Sequence, residues 1–482
     1  MPDPHMPRFA VPPLDPWCAE RLPLCLAGMR KAVSPVGLVK RRPAFGQTIV
    51  PARGSVVAAA DPSPDASPDY FFHWLRDSAL VMDALMRLSA DDAGDAADYA
   101  DFVRFSNGLD ALDGARHTRH KGFGTTADPA LAVYVRSVLD LEALHGDGLR
   151  GEVRFNPDGT LDTLDWARPQ FDGAALRALT LLRRPLQPGA SPALIAIRDG
   201  LLRADLDFVA DHVGDLCYDV WEERFGHHYH TRLVVYAALA LGGPWAQIAK
   251  DHGRAARFEA AALSVRVDLD RHWSAERGAY IATLDADDDL GEAHVLDSSV
   301  LLGVLHARLP DGPHSPLDPK VQATLAVFET MFADLPVNQR LAPDWGPLMG
   351  RFRGDDYFGG GGFVMLTAAA AEICYLIGSA LRNGRSLPVT EENTAWLGRV
   401  LGGAPPAPGS TLPASRDDVP ALVLAFRDAG DRYLGAIAAL APEDGSMPEQ
   451  FDKVTGDPTS APDLAWSHGC VATAILTRAE LG

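Results

Sequence analysis

Apolar residues return every three or four positions along most of this 482-residue chain. That is the spacing of a buried helical face. Leu80, Val81, Ala84, Leu85 and Leu88 trace one such face; Phe258, Ala262, Val265, Leu269 and Trp273 trace another. Ala- and Leu-rich stretches near 173–184, 193–213, 231–242, 296–308, 319–333, 363–383, 415–441 and 464–480 read the same way. These are ten helical stretches, with one or two more expected to be hidden. Strand-like runs are few, and Gln47 to Ala59 is the best of them. Twelve helices would leave roughly 40 residues per helical unit, against ~12 for a mean helix. Long loops must therefore separate them. An all-α scaffold that carries its chemistry on loops is expected.

The loops are visible as Pro-, Gly- and Asp-rich stretches: 59–67, 151–172, 341–362 and 403–413. The net charge is 44 − 64 = −20, which disfavours nucleic acid and anionic membranes as partners. No apolar run reads as long enough to span a bilayer, which needs roughly 20 residues. The N-terminus is polar and proline-rich, without the basic start and apolar stretch of a secretory signal, so a cytoplasmic monomer is expected. The five cysteines show no C-x-x-C spacing, and free thiols are expected rather than disulfides or a zinc site.

Five segments mix aromatic rings with charge. They are Tyr70-Phe71-Phe72-His73-Trp74-Leu75-Arg76-Asp77, Trp166-Ala167-Arg168-Pro169-Gln170-Phe171-Asp172-Gly173, Tyr218-Asp219-Val220-Trp221-Glu222-Glu223, Arg351-Phe352-Arg353-Gly354-Asp355-Asp356-Tyr357, and Met447-Pro448-Glu449-Gln450-Phe451-Asp452. Taken singly, each has a bland reading: a helix N-terminal charge pair at Arg76-Asp77, a core ring at Trp166, a solvated face at Glu222-Glu223. The recurrence of one composition between helical stretches weakens those readings together. A ring can stack on the apolar face of a pyranose, and its bulk can raise the pKa of a neighbouring carboxyl by desolvation. The pattern therefore suits cleavage of a sugar linkage.

In order along the chain, these segments resemble the characteristic loops of the glucoamylase family of inverting glycoside hydrolases. Pro68 to Ser78, Trp166 to Gly173, Tyr218 to Glu223, Gly350 to Tyr357, and Ser446 to Asp452 followed by Asp463-Leu464-Ala465-Trp466-Ser467 carry the likeness. It spans roughly positions 45 to 480. The resemblance implies an (α/α)6 barrel over 46–482, with residues 1–45 an N-terminal extension and first helix packed on it. It implies Glu222 as general acid and Glu449 as general base. Arg76, Asp77 and Arg351 would hold the terminal sugar, and Glu223 the sugar on the leaving side. Tyr70, Trp74, Trp166, Trp221 and Trp466 would form aromatic walls, with Asp219 and Asp355 orienting the acid and the arginine. No cofactor or metal is implied.

Such an acid must be protonated to donate, so surroundings that raise its pKa are expected at Glu222. The implied activity is exo-hydrolysis of malto-oligosaccharides or starch-like α-glucans from non-reducing ends, releasing β-glucose. Isomaltose, dextran or trehalose are alternative substrates. A non-catalytic carbohydrate sensor on the same fold is a further alternative, disfavoured by the presence of both glutamates. The fourth segment departs from the family pattern: R-Y-P-E-D becomes Arg351-Phe352-Arg353-Gly354-Asp355, and G-N-P-W becomes Gly360-Gly361-Gly362-Phe363. A smaller ring and a flexible glycine loop in the sugar-site wall are expected there.

Two other clusters read as structural. His227, His228 and His230 lack the i, i+4 spacing of a helical metal pair. Asp285, Asp287, Asp288 and Asp289 resemble a calcium loop, but Leu290 stands where that loop needs glycine.

Overall fold

Consecutive long helices pair off as outer and inner members of two concentric rings. The computed structural model describes residues 8–89, 92–119, 129–285, 294–342 and 344–482. Among them are fifteen α-helices: α1 (Leu14–Ala32), α2 (Leu75–Leu88), α3 (Ala93–Leu109), α4 (Gly114–Thr118), α5 (Val138–Glu142), α6 (Asp172–Arg183), α7 (Pro192–Asp211), α8 (Tyr229–Ile248), α9 (His252–Asp270), α10 (Ser299–Ala307), α11 (Pro319–Phe332), α12 (Val364–Arg382), α13 (Thr394–Val400), α14 (Val419–Leu440) and α15 (Ala465–Ala479). Helices α2, α6, α8, α10, α12 and α15 touch in that order, and α15 returns to α2 to close a ring. Outside it lie α1, α3, α7, α9, α11 and α14. This is an (α/α)6 barrel, as expected, but α1 from the 1–45 segment is one of its six outer helices and not an addition packed on a barrel that starts at 46.

Residue choice separates the rings. Outer helix α9 buries Ala255, Phe258, Ala262, Val265 and Leu269 and leaves most of its other side to solvent, the one-sided stripe of a surface helix. Inner helix α12 buries Ala368, Ala369, Ala370 and Ala371 in succession, because neighbours surround it on all sides. Helix α12 is also long and apolar enough by composition to cross a membrane, which corrects the expectation that no such run exists. Its apolar surface is taken up by the barrel core. Small residues let the inner helices approach closely: a Cβ on Gly303 of α10 would sit 3.1 Å from the Cα of His230 on α8.

The ten expected stretches each fall on a helix, although Trp273 lies past the end of α9 in a short strand. The two ring helices they miss are α1 and α3, and the short helices α4, α5 and α13 were not expected either. Pro23 interrupts the pattern of α1. In α3, Asp95 and Ser106 occupy buried positions that an apolar count passes over. Asp95 is buried because Arg30 of α1 reaches it at 2.6 Å, joining two outer helices. Only Gln47–Ile49 of the expected 47–59 strand is a strand, antiparallel to Lys40–Arg42. Pro51 and Gly54, whose φ is 83°, turn the chain away.

The loops that lead into the inner helices gather at one end of the barrel. Short antiparallel pairs fasten them: His73–Trp74 to Arg154–Phe155, Cys217–Tyr218 to Phe225–Gly226, and Gln450–Phe451 to both Gly362–Phe363 and Pro458–Thr459. The aromatic and acidic segments occupy these loops and the first turns that follow them.

Candidate active site

A cavity of about 230 Å³ opens among these loops. Tyr70, Trp74, Arg76, Asp77, Trp166, Trp221, Glu222, Glu223, Arg351, Glu449 and Trp466 all line it. Residues from all five segments, nearly 400 positions apart in sequence, thus face one space. Asp219 and Asp355 stand behind that lining, each bound to residues in it or next to it.

Glu222 sits on a strained turn with φ of 68°, a left-handed conformation that a non-glycine residue adopts only under constraint. The constraint is Asp219. Its carboxylate accepts from the backbone N–H groups of Glu223 at 2.8 Å and Arg224 at 3.1 Å, and its carbonyl accepts from the N–H of Glu222 at 3.0 Å. Asp219 therefore shapes the turn and does not touch the Glu222 carboxylate. Oε1 of Glu222 accepts from Trp74 Nε1 at 2.8 Å and from Arg76 Nη2 at 2.9 Å. Trp166 Nε1 donates to Oε2. Sequence suggested an apolar wall at this carboxyl; the polar neighbours that reach it are three N–H donors.

Arg76 is held in turn from behind. Nη1 donates to Gln170 Oε1 at 3.0 Å and to Asp172 Oδ2 at 3.3 Å, and Nε lies 3.3 Å from Asp77. Burial opposes its charge, but Asp172, Asp77 and Glu222 raise its pKa above the ordinary arginine value. Arg351 is fixed in the same manner. Asp355 takes it through two bonds, at 2.8 and 2.6 Å, and Nη1 reaches Glu223 at 2.8 Å. Such forked pairs set the plane of the guanidinium as well as its position. The hydroxyls of Tyr70 and Tyr357 meet at 2.5 Å.

The glycine run before Phe363 is a packing device. A Cβ on Gly360 would lie 1.8 Å from the Asp355 carbonyl oxygen, and one on Gly361 would lie 1.9 Å from that of Phe451. No larger residue fits, so the expected loose loop is a tight one. It seats the Phe363 ring 5.7 Å from that of Trp221.

Burial dominates the titration of four carboxyls here. It pushes Glu449 up to about 7, against a lowering hydrogen bond from the Ser460 hydroxyl. Asp297 rises to about 7, while Asp77 and Asp219 rise to about 6. Acids raised on folding bind more protons folded than unfolded, so their stabilisation is complete below the unfolded values and is lost as pH climbs through the folded ones. Buried histidines act the other way: burial lowers His73, His230 and His272 to about 3 and His228 to about 4, so the stability they carry is lost as pH falls below about 6.5. The unliganded protein should therefore melt highest at about pH 6–7, by calorimetry, and lower at about pH 5 and about pH 8. A melting temperature that rises steadily from about pH 7 down to about pH 5 would contradict these shifts.

Comparison with known proteins settles the lineage. The family model described as glycosyl hydrolases family 15 matches residues 45–476. The chain belongs to glycosyl hydrolase family 15. A probable glucoamylase of Schizosaccharomyces pombe is 28% identical, across 96% of this chain and 92% of the relative. Glucoamylase-1 of Schizophyllum commune is 26% identical, across 96% and 74%. The family 15 glucoamylase structure from Hypocrea jecorina superposes with a TM-score of 0.78 at 26% identity, covering 97% of this chain and 73% of that one. A glucoamylase structure from Saccharomycopsis fibuligera shares the fold with a TM-score of 0.80 at 21% identity. The protein is thus a glycoside hydrolase built on the helical barrel of its family.

Several residues of this family 15 site had no role assigned from sequence. Gln170 and Asp172 lie inside the second motif, where their spacing from Trp166 was the available signal. Ser460, bonded to Glu449, and Asp297, which accepts from Trp221 Nε1 at 2.9 Å, carry no local signal. The three histidines diverge. His227 Nδ1 meets Asp285, His228 Nε2 meets the Cys217 carbonyl, and His230 Nε2 meets His306. Among the described residues no group of three or more His, Cys, Asp or Glu side chains could hold a metal ion. The suspected calcium-loop aspartates Asp287, Asp288 and Asp289 lie outside the described residues. All five cysteines are free, four of them buried.

Proposed function

We propose that this enzyme removes single glucose units from the non-reducing ends of malto-oligosaccharides or starch-like α-glucans, with inversion at the anomeric carbon. One observation carries the reading: Glu222 and Glu449 line the same cavity from different loops, beside two arginines fixed by carboxylates. Carboxylates and guanidinium groups that are already oriented favour a ligand with a matching pattern of hydroxyls, because a mismatch leaves a buried polar group unpaired. Trp74, Trp166, Trp221 and Trp466 supply rings for the apolar faces of the sugar. Relatives that bear the name glucoamylase support the substrate class.

In this reading Glu222 protonates the glycosidic oxygen as the bond to C1 breaks. Trp74 and Arg76 occupy Oε1, so the transferable proton belongs on Oε2, where among the described residues Trp166 alone reaches. Glu449 takes a proton from a water that attacks C1 on the opposite face. Inverting pairs stand about 6.5–9.5 Å apart to admit that water. Arg76, Asp77 and Arg351 hold the terminal glucose, and Glu223 the next residue.

The test is proton NMR of the first product from maltose, with isomaltose and trehalose run alongside. β-Glucose appearing first from maltose is expected. Initial α-glucose would reject inversion, and turnover confined to isomaltose or trehalose would reject the substrate assignment.

A further inference from the structure

We propose that His230 is a positioning residue for the proton donor, acting through Asp172 and Arg76; this rests on Glu222 being that donor. His230 lies on the first turn of α8 and is 1% exposed. Its Nε2 is 2.9 Å from Nδ1 of His306 on α10. Its Nδ1 faces Asp172 Oδ2, at the start of α6, across 3.8 Å. Asp172 contacts Arg76 on α2 at 3.3 Å, and Arg76 contacts Oε1 of Glu222 at 2.9 Å. Four inner helices and the catalytic turn are thus joined in one polar file. At its far end the His306 ring packs 5.8 Å from that of Trp466, which lines the pocket.

Among the described residues neither His230 Nδ1 nor Asp172 Oδ1 has a hydrogen-bond partner, although both are buried. Buried polar atoms without partners are uncommon and call for a reason. The charges identify it. Burial, with Arg76 and His228 adding repulsion, lowers the pKa of His230 to about 3, and burial also lowers that of His306. Both rings are neutral, so each carries one N–H. Their shared bond needs one donor and one acceptor. A lone pair on Nδ1 would confront the Asp172 carboxylate in a poorly screened interior. The favourable tautomer places N–H on Nδ1, toward Asp172, and has Nε2 accept from His306 Nδ1–H.

The N–H dipole then steadies Asp172 at Oδ2, the same oxygen that accepts from Arg76 Nη1. It biases the carboxylate to the position that keeps Arg76 on Oε1 of Glu222 and leaves Oε2 for the proton. The gap of 3.8 Å exceeds a hydrogen bond, so the interaction is an electrostatic bias that a sub-ångström shift of Asp172 would tighten. Gly303 holds α10 close enough to α8 for the two histidines to meet.

Two substitutions separate the two ring nitrogens. His230→Asn keeps an N–H donor near the Nδ1 position; His230→Gln keeps a polar group near Nε2 and loses the donor to Asp172. The readouts are kcat/KM on maltose and on α-glucosyl fluoride, whose leaving group needs no proton, with the melting temperature of each variant. His230→Gln should lose about 10- to 100-fold on maltose and much less on the fluoride, while His230→Asn stays within about threefold on both. Equal losses on the two substrates, equal losses in the two variants, or no loss in His230→Gln would overturn the proposal. Should His230→Gln fail to fold, a large maltose-selective loss in His230→Asn would still overturn it. The failure of the donor assignment looks different: Glu222→Gln would then lose the two substrates equally. That result would remove the proposal together with its foundation.

Discussion

Glu222→Gln should lower kcat on maltose by about 10²- to 10⁴-fold, the span typical of a missing general acid. The amide can still accept from Trp74 and Arg76 through its oxygen, so the turn held by Asp219 should persist. Its nitrogen can be placed on the Trp166 side, where N–H would oppose N–H, and it has no proton to transfer. The loss should depend on the leaving group. An alkoxide leaves poorly without protonation, whereas fluoride leaves readily as an anion. The variant should therefore hydrolyse α-glucosyl fluoride at a rate much nearer the parent enzyme. Steady-state kinetics on both substrates check this. Equal losses on the two, or full activity on maltose, would remove Glu222 as the acid.

The legibility of that residue from sequence has a physical basis. A carboxyl that works on a sugar sits among rings, and rings beside acids at Trp221-Glu222 and along four other segments are visible without coordinates. The helices were legible for a similar reason, since a helix with a solvent side and a core side writes its period into the chain; their closure into a barrel was implied by the family resemblance and not by that period. The same logic explains what was missed. Helix α3 turns Asp95 and Ser106 inward, where Asp95 has a cation from another helix, so its apolar count falls short. Ser460 and Asp297 matter through bonds to Glu449 and Trp221 that form only when distant loops meet. The glycines at 360 and 361 looked like freedom because sequence shows a missing side chain and not the carbonyl oxygen that excludes one. The histidines at 227, 228 and 230 looked like a cluster because adjacency in sequence is easy to see. Two lie ahead of α8 and one within it, and each turns to a different neighbour.

Glu449→Gln should cost about 10²- to 10⁴-fold on maltose as well, by loss of the general base. Unlike the acid variant, it should lose α-glucosyl fluoride to a similar extent. Both substrates need an activated water, whatever group departs. Opposite leaving-group dependence in the two variants would give the two glutamates different roles within a single pocket. The base also sets a pH limb. It acts when ionised, and burial raises its pKa to about 7 in the unliganded enzyme. As pH falls through that value Glu449 takes up a proton, so kcat/KM should decline on the acidic side with Glu449 as the titrating group. The Ser460 hydroxyl donates to Glu449 and favours its ionised form. Ser460→Ala removes that donor, so protonation should set in at higher pH. One hydrogen bond to a charged group is worth about 1.5–3 kcal/mol, and one pKa unit is about 1.4 kcal/mol, so the acid limb should move up by about one to two units. A limb that stays in place, or moves down, would mean that Glu449 does not set it. Retained activity on the fluoride in Glu449→Gln would remove it as the base.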